Sequence, residues 1–292
     1  MKILVLGKNG QLGQSIKKVV STTSILNEYI FLGRDELDIT NKKDISDYFN
    51  NNNIKIIINC SAYTNVDKAE KDKLIANQIN HLAVKHIAII ANKKNIKFIH
   101  ISTDQVFDGK KKGFYYEDDE TNPVNIYGKT KLAGEKAILF ALPFNGMIIR
   151  TSWLYSEYRK NYVKNMITLG KEKNELSVVI DQISSPTFSN DLAKLIIVII
   201  DNDIFKKYNN KTQIYHFANE GFCSRYDFSK KIFELTNSSC NLSQIYSSEF
   251  PRLSETPKNT ILSKDKIKEV LNIKISSWED SLSKCIKLMS VH

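Results

Sequence analysis

The sequence lacks the features that would place it among secreted, disulfide-rich or membrane proteins. Its four cysteines stand at wide and irregular spacing, so they form neither a disulfide framework nor a zinc site. Its longest apolar runs, at 54–58 and 196–200, are far shorter than the roughly 18–20 residues that span a bilayer. The first residues turn polar after one short apolar run, which argues against a secretory signal. We therefore expect a cytoplasmic protein without a membrane contact.

The sequence is also poor in arginine, although its charge is strongly positive. Lysine and arginine number 42 against 32 acidic residues, a formal net charge of +10, yet only five of the basic residues are arginine. Proteins that bind nucleic acid usually concentrate arginine and aromatic residues on one face. The lysines here are spread along the chain. This composition argues against nucleic-acid binding and favours a lysine-rich surface that mildly attracts anionic small molecules.

Buried strands alternate with helical segments through the first half of the chain. Continuous apolar runs, which are typical of strands covered on both faces of a parallel sheet, lie at 3–6, 29–32, 54–60, 96–101, 147–151, 177–180 and 213–218. Helical periodicity lies between them, most clearly at 73–94 and 125–140. This order predicts an α/β protein with a doubly wound parallel sheet of the Rossmann type.

The pattern becomes looser and richer in turns in the second half of the 292 residues. We expect helices at 161–173, 225–237 and 277–290. The predicted organisation is a dinucleotide-binding domain over 1–153 and a smaller, mostly substrate-binding lobe over 154–292, of which 176–218 partly returns to the sheet. Such a lobe would lie over the carboxyl ends of the strands, where ligands bind in this architecture.

A glycine-rich turn follows the first predicted strand. Gly7 allows a tight turn, Gly10 leaves the backbone bare for a pyrophosphate, and Gly13 lets the next helix pack closely. The N-terminus of that helix offers free N–H groups to a diphosphate. A purely structural turn is the alternative, but the strand–loop–helix context favours a dinucleotide. The predicted cofactor residues of this loop are Gly7, Asn9, Gly10, Gln11, Leu12 and Gly13.

The end of the second predicted strand bears on the choice of cofactor. Rossmann domains that bind NAD carry an acidic residue about 20 residues beyond the last loop glycine, and here that position is Gly33, followed by Arg34. A guanidinium pairs with a phosphate through two hydrogen bonds, so we expect NADPH with Arg34 at its 2′-phosphate. Asp35 could still turn inward, which leaves NADH as an alternative. Asp38 and Ile39 would lie near the adenine, unless they only lead into the next helix.

Three polar side chains indicate a reductase site. Thr103 ends the fourth predicted strand, and Tyr127 and Lys131 are four residues apart on one face of the next helix. Reduction of a ketone leaves an alkoxide, which the Tyr127 phenol could protonate. The Lys131 ammonium would lower the pKa of Tyr127 and hold the nicotinamide ribose, and Thr103 would donate to the carbonyl oxygen. Tyr-x-x-x-Lys is common by itself, but its position behind a nucleotide loop favours catalysis.

Several sequence blocks occur in the order found in one enzyme family. They are 7–13, 59–70, 102–109, 127–135, 150–153, 181–187 and 278–280. With these blocks the chain resembles the dTDP-4-dehydrorhamnose reductases, a group of extended short-chain dehydrogenases/reductases, over nearly its whole length. The resemblance implies hydride transfer from NADPH or NADH to the 4-keto carbon of dTDP-4-dehydro-6-deoxy-L-mannose, which gives dTDP-L-rhamnose.

The resemblance also implies roles for individual residues. It assigns Thr103, Tyr127 and Lys131 to catalysis. It places Ala62, Tyr63 and Thr64 beside the cofactor, with Tyr127 and Lys131, and Val66, Asp67, Thr103, Gln105, Trp153, Asn161 and Gln182 toward the nucleotide-sugar. Trp153 has a rationale of its own, because an aromatic plane can stack on a sugar or base, although packing explains it equally well. At Gln105 the family commonly has tyrosine, so a ring of the substrate pocket becomes an amide here.

The oligomeric state follows from another departure. Some relatives dimerise through a metal ion held by glutamates, one of them two residues after the last loop glycine. That position is Ser15 in this chain. We therefore expect no metal and a monomer or weak homodimer.

Other functions remain open at this point. A reductase of a related 4-keto nucleotide sugar would share all of these features. Nucleotide-sugar dehydratases and epimerases share the loop and the Tyr–Lys pair, but dehydratases place Asp-Glu after the threonine, and here Gln105 follows Asp104. Regulatory subunits of methionine adenosyltransferase also resemble the family, but a protein that only binds a partner would have no need to keep Thr103, Tyr127 and Lys131 together.

Overall fold

The computed structural model describes residues 1–23, 26–208, 210–250 and 252–290. Its strands are β1 (Lys2–Leu6), β2 (Glu28–Leu32), β3 (Ile56–Asn59), β4 (Lys97–Thr103), β5 (Gly146–Thr151), β6 (Leu154–Tyr155), β7 (Glu175–Val179), β8 (Ile183–Ser184), β9 (Thr187–Phe188), β10 (Gln213–His216), β11 (Cys223–Ser224) and β12 (Asn241–Ile245). Its α-helices are α1 (Gln11–Thr22), α2 (Lys42–Asn51), α3 (Val66–Ala69), α4 (Lys73–Asn77), α5 (Val84–Lys93), α6 (Ile126–Ala141), α7 (Tyr162–Glu172), α8 (Ser189–Asp201), α9 (Arg225–Thr236), α10 (Asp265–Leu271) and α11 (Trp278–Ser290).

Six parallel strands form the central sheet, in the order β10-β5-β4-β3-β1-β2. The order along the chain reverses between β1 and β3, and such a switch point leaves a crevice at the carboxyl ends of the strands. All six strands were predicted from their apolar runs. The doubly wound Rossmann-type sheet is therefore confirmed.

Helices cover both faces of this sheet. One core holds side chains of α1, α8 and α10, and the other holds side chains of α2, α5 and α6. Strand β3 supplies both cores, because successive side chains of a strand point to opposite faces. Ile56 and Ile58 enter the first core, whereas Ile57 enters the second. A strand buried on both sides needs this continuous apolar sequence.

Helix α8 contains the apolar run at 196–200, for which no helix or strand is predicted above. Seven of its residues between 192 and 200 are buried against the sheet and α1. A helix covered on so many sides has a nearly continuous apolar sequence, and this hides the helical period.

The second half of the chain forms a lobe with its own small core. Side chains of α7, α9 and α11 meet there, and three two-stranded pairs surround them, β7 with β12, β8 with β11 and β6 with β9. The predicted strand at 177–180 corresponds to β7, which pairs with β12 and does not join the central sheet. Within 176–218 it is β10 and α8 that belong to the central layers. The proposed boundary at residue 153 stays a prediction.

None of the helices in the described ranges has both the length and the apolar character needed to cross a membrane.

Candidate active site

A cleft of about 750 Å³ opens at the carboxyl ends of β1 to β5, beneath the second lobe. The predicted site residues that line it are Gly7, Asn9, Gly10, Gln11, Leu12, Arg34, Asp38, Ile39, Ala62, Thr64, Val66, Thr103, Gln105, Tyr127, Lys131, Trp153 and Asn161. Residues from both halves of the chain thus face one space.

The glycine loop joins β1 to α1 at one end of the cleft. Gly7 has a φ of +85°, and a Cβ there would lie 2.9 Å from the backbone nitrogen of Ser61. A Cβ on Gly13 would lie only 2.4 Å from the carbonyl oxygen of Gly7. Gly10 caps α1 without a side-chain hydrogen bond, so the first N–H groups of the helix have no side-chain acceptor. A helix N-terminus left open in this way can bind a diphosphate.

Arg34 stands at the rim of the cleft beyond β2. Its side chain is 77% exposed, and its Nε donates to Oδ2 of Asp38 over 3.1 Å. Burial disfavours the charged form of Asp38, but hydrogen bonds from Thr40 and Arg34 outweigh it and lower the pKa of Asp38. Asp35 is exposed and does not line the cleft. The arrangement leaves most of the Arg34 guanidinium free for a phosphate.

Close packing brings Thr103 and Tyr127 to the same wall of the cleft. Thr103 is the last residue of β4, and Tyr127 lies in the first turn of α6. The Asn125 side chain caps this helix by accepting from the Gly128 nitrogen over 2.8 Å. A Cβ on Gly128 would lie 2.1 Å from the carbonyl oxygen of Gln105, so only glycine lets this turn approach the loop after β4.

The two titratable residues of the predicted trio have shifted pKa values. Burial raises the pKa of Tyr127 to about 12; a hydrogen bond with Thr103 lowers it and the Asp104 charge raises it. Burial lowers the pKa of Lys131 to about 8, opposed by the charges of Glu135 and Cys60. The expectation that Lys131 lowers the pKa of Tyr127 is not met, because the lysine amine points elsewhere.

The Lys131 amine lies against β4 in this structure. Its Nζ donates to the carbonyl oxygen of Ile101 over 2.6 Å and lies 3.1 Å from Nε2 of His100. Only 1% of Lys131 and none of His100 is exposed. The amine is thus engaged with the strand, although its helix position faces Tyr127.

Asp104 is a site residue for which the sequence predicted no role in reduction. It is buried, and its carboxylate accepts from Oγ1 of Thr103 over 3.0 Å and from Oγ1 of Thr260 over 2.5 Å. Burial raises its pKa, against these two hydrogen bonds and the charge of Arg225. Its position immediately after Thr103 at a strand end is the signal that could have found it.

Arg225 is a second lining residue that the sequence analysis missed. It begins α9, and its Cζ lies 3.5 Å from the ring centre of Trp153 and 4.6 Å from that of Tyr162. Within the described ranges its guanidinium forms no hydrogen bond or ion pair, and burial lowers its pKa to about 10. Trp153 has a φ of +43°. No local pattern marks Arg225, because its neighbours here are distant along the chain.

Asn161 lines the cleft but uses its side chain in the protein. Its Oδ1 accepts from the Lys164 nitrogen at the start of α7, and its Nδ2 donates to the Ser156 carbonyl oxygen. The Asn161 side chain therefore fixes the start of α7 at the cleft.

Four predicted site residues do not line the cleft. Gly13 packs under the loop, Tyr63 donates from its hydroxyl to Asp72 over 2.6 Å, and Gln182 is buried with its carbonyl oxygen accepting from the Arg225 nitrogen. The Asp67 carboxylate accepts from the backbone and hydroxyl of Ser254 and from Arg252. Asp67 thus ties α3 to the second lobe at the edge of the cleft. Roles of these residues in binding stay predictions.

The part of the chain that the structure describes holds no group of three or more histidine, cysteine or acidic residues suited to a metal ion. Ser15, the residue on which the expectation of no bridging metal rests, is fully buried in α1.

Comparisons with known proteins agree with this arrangement. Residues 1–291 match the model of a family described as the RmlD substrate binding domain. The chain is 37% identical over 287 residues to a dTDP-4-dehydrorhamnose reductase of Aggregatibacter actinomycetemcomitans, a match that covers 96% of this chain and 97% of the relative. A dTDP-4-dehydrorhamnose reductase structure from Clostridium acetobutylicum has a TM-score of 0.92 at 38% identity, covering 99% of this chain and 100% of that one. A Bacillus anthracis dTDP-4-dehydrorhamnose reductase structure in complex with NADP has a TM-score of 0.90 at 35% identity, covering 98% and 99%.

Proposed function

The chain belongs to the dTDP-4-dehydrorhamnose reductase family, and from this premise we propose that it reduces the 4-keto group of dTDP-4-dehydro-6-deoxy-L-mannose with NADPH to give dTDP-L-rhamnose. The product is a precursor of cell-surface polysaccharide. The observation that supports this reaction most directly is that one cleft gathers the glycine loop with Thr103, Tyr127 and Lys131. A cofactor and a ketone can react only where their binding groups face the same space.

The residues at the β1 end of the cleft fit a dinucleotide phosphate. The bare backbone of the glycine loop and the free N-terminus of α1 suit the diphosphate, and the exposed guanidinium of Arg34 suits a 2′-phosphate. When bound, NADPH supplies the hydride for the reduction. Ala62 and Thr64 line the cleft between this end and the Tyr127 wall.

Tyr127 supplies the proton that the new hydroxyl group needs. Because its pKa is raised to about 12, the phenol stays protonated at neutral pH, and this is the acid form that a reduction consumes. The phenolate left after the transfer lies one helical turn from Lys131, whose charged form would stabilise it. Thr103 stands beside Tyr127, with its hydroxyl held by Asp104.

Arg225 binds the nucleotide-sugar. A guanidinium carries five N–H donors, and those of Arg225 have no acceptor in the described protein, although the residue lines the cleft. The contact with the Trp153 ring holds the guanidinium in place by a cation–π interaction. Phosphate and sugar oxygens are acceptors of the kind that a guanidinium recognises.

The experiment is an NADPH-oxidation assay with a small panel of 4-keto nucleotide sugars and identification of the products. We expect stoichiometric NADPH consumption with dTDP-4-dehydro-6-deoxy-L-mannose. We expect Tyr127→Phe to lose at least ~10²-fold in kcat while its NADPH affinity changes little, because only the proton donor is removed. The matched control is Tyr116→Phe, an exposed tyrosine outside the cleft.

The same assay separates the other functions. A dehydratase or epimerase would transform the sugar without net consumption of NADPH, and a regulatory subunit would co-purify with a synthetase and show no turnover. Faster turnover of another 4-keto sugar would identify that sugar as the substrate. Near-normal turnover by Tyr127→Phe would refute the role of this tyrosine.

We also propose a location and an oligomeric state for the protein. It acts as a cytoplasmic enzyme, as a monomer or weak homodimer without a bridging metal. What supports the absence of a bridging metal is the buried serine at position 15, where the family resemblance implies a ligand glutamate in some relatives.

A further inference from the structure

A buried hydrogen-bonded chain leads from the backbone after β3 to the Lys131 amine. Asn59 and His100 are register partners on β3 and β4 and are fully buried. The Ser61 nitrogen donates to Asn59 Oδ1 over 3.0 Å, and Asn59 Nδ2 lies 3.2 Å from His100 Nδ1. The other ring nitrogen, Nε2, lies 3.1 Å from Lys131 Nζ. Three contacts therefore connect Ser61 to Lys131.

The first contact fixes which group donates in each hydrogen bond of this buried chain. A backbone N–H can only donate, so the oxygen of the Asn59 amide must face Ser61 and its NH₂ group must face the His100 ring. The NH₂ group can only donate, so Nδ1 of His100 must accept. A neutral imidazole that accepts at Nδ1 carries its proton on Nε2. The Nε2–H group therefore points at Lys131 Nζ.

An ammonium cannot complete this chain. It has three donors and no lone pair, whereas a neutral amine has one lone pair and two donors. The neutral amine can accept from Nε2–H and still donate to the carbonyl oxygen of Ile101 over 2.6 Å. If Lys131 were charged, two donors would face each other at 3.1 Å in the interior. The contacts are consistent only with an uncharged Lys131.

The surroundings of the amine agree with this. The titratable groups that face it are His100 on β4, Cys60 after β3 and Glu135 on α6. Glu135 does not pair with the lysine, because Arg150 and Ser102 donate to its carboxylate. A charged Lys131 would thus be a buried cation without an ion pair, which is costly. Burial lowers the pKa of Lys131 to about 8, so its neutral form predominates above that pH, and burial lowers the pKa of His100 well below its usual value.

We propose that Asn59 and His100 act as positioning residues that hold Lys131 as a neutral amine in the empty enzyme at alkaline pH, and that the anionic dinucleotide releases Lys131 from His100 by favouring its protonation. The proton comes from solvent and adds to the lone pair of Nζ, and His100 keeps its own. Negative charge brought into the cleft raises the pKa of an amine that lines it. The inference rests on the proposed function only in its choice of NADPH.

The first test is the protonation state of His100 in the unliganded enzyme. Two-bond ¹H–¹⁵N spectra at pH 9 show which ring nitrogen carries the proton, and loss of a signal in His100→Gln assigns the ring. We expect the Nε2–H form. An Nδ1–H ring or a doubly protonated ring would overturn the proposal. This test needs no NADPH, and the His100→Gln variant serves only to assign the signal, since the proton position is read in the unmodified enzyme.

The second test is proton uptake during NADPH binding, measured by calorimetry at pH 9 in two buffers of different ionisation enthalpy. We expect uptake of up to one proton by the unmodified enzyme at pH 9, above the Lys131 pKa of about 8, and much less at pH 6.5. Asn59→Asp reverses the direction of these hydrogen bonds. A carboxylate accepts from Nδ1–H of His100, which leaves Nε2 to accept from an ammonium. In that variant Lys131 is charged beforehand, so uptake should be lost.

The matched control is Asn41→Asp, which adds the same charge at the exposed N-cap of α2 and should keep the uptake. Retained uptake in Asn59→Asp, or none in the unmodified enzyme, would contradict the proposal. If the unmodified enzyme did not bind NADPH at all, the proposed function would fail, and the His100 spectrum would still decide the direction of the chain.

Discussion

At the scale of single residues, the site contains two kinds of side chain. Thr103, Tyr127 and Lys131 were predictable, because strand ends of a parallel sheet meet at one edge and residues four apart share a helix face. Arg225 and His100 were not, because their partners are brought to them only by the fold. Trp153 and Arg225, for example, lie 72 positions apart in the sequence.

Replacing Arg225 with methionine tests its role as a ligand of the nucleotide-sugar. We expect KM for the sugar nucleotide to rise roughly 10- to 100-fold, which corresponds to about 1.5–3 kcal/mol for a hydrogen bond to a charged group. Affinity for NADPH should not change, because Arg34 and the glycine loop lie at the other end of the cleft. The KM of Arg225→Lys should lie between those of the unmodified enzyme and Arg225→Met, since lysine keeps the charge and loses the planar fork of donors.

Lys230→Met serves as the control for this substitution, because it removes an exposed positive charge from the same helix. An unchanged KM in Arg225→Met would mean that the guanidinium only supports the Trp153 ring.

At the scale of elements, the strands of the central sheet could be predicted from the sequence. The pairing of the short strands in the second lobe could not. A strand covered on both faces needs an uninterrupted apolar sequence, as in β3. Strand β7 is apolar only at its end, and it pairs with β12, more than 60 residues later, a pairing that no local pattern encodes. Helix α8 was missed for the opposite reason, since its burial removes the polar face that reveals a helix.

Gly128→Ala tests how the first turn of α6 sets the site. The added methyl group would meet the carbonyl oxygen of Gln105 at 2.1 Å, so the turn that carries Tyr127 must move away. Overpacking of this kind costs about 1–3 kcal/mol of stability. We expect kcat to fall at least ~10-fold, because small misplacements of a reacting group are costly.

The measurements are kcat and urea unfolding, with Lys129→Ala in the same turn as an exposed control. A Gly128→Ala enzyme with normal kcat would show that this contact does not determine the position of Tyr127.

At the scale of the whole molecule, the cleft lies where two regions of the chain meet. The dinucleotide end could be predicted because it is built from one continuous strand–loop–helix segment. The proposed sugar end is built from the loops before α7 and α9, whose relative placement depends on the small core of the second lobe. For this reason the type of reaction could be predicted from the sequence in more detail than the residues that recognise the substrate.

The oligomeric state is a property of the whole molecule that solution measurements can check. We expect size-exclusion chromatography to give a monomer or a weak, concentration-dependent dimer, with the same elution before and after treatment with a chelator. The reason is that position 15 carries a buried serine instead of a ligand. A dimer that dissociates on addition of chelator would contradict this expectation.

The carboxylate of Asp104 connects the two halves of the molecule, since it accepts one hydrogen bond from Thr103 of the sheet and one from Thr260 of the lobe. Loss of the Thr260 hydrogen bond would change how tightly this carboxylate holds the Thr103 hydroxyl. A substitution at Thr260 would therefore reach, through Asp104, a hydroxyl that lines the cleft on the opposite side.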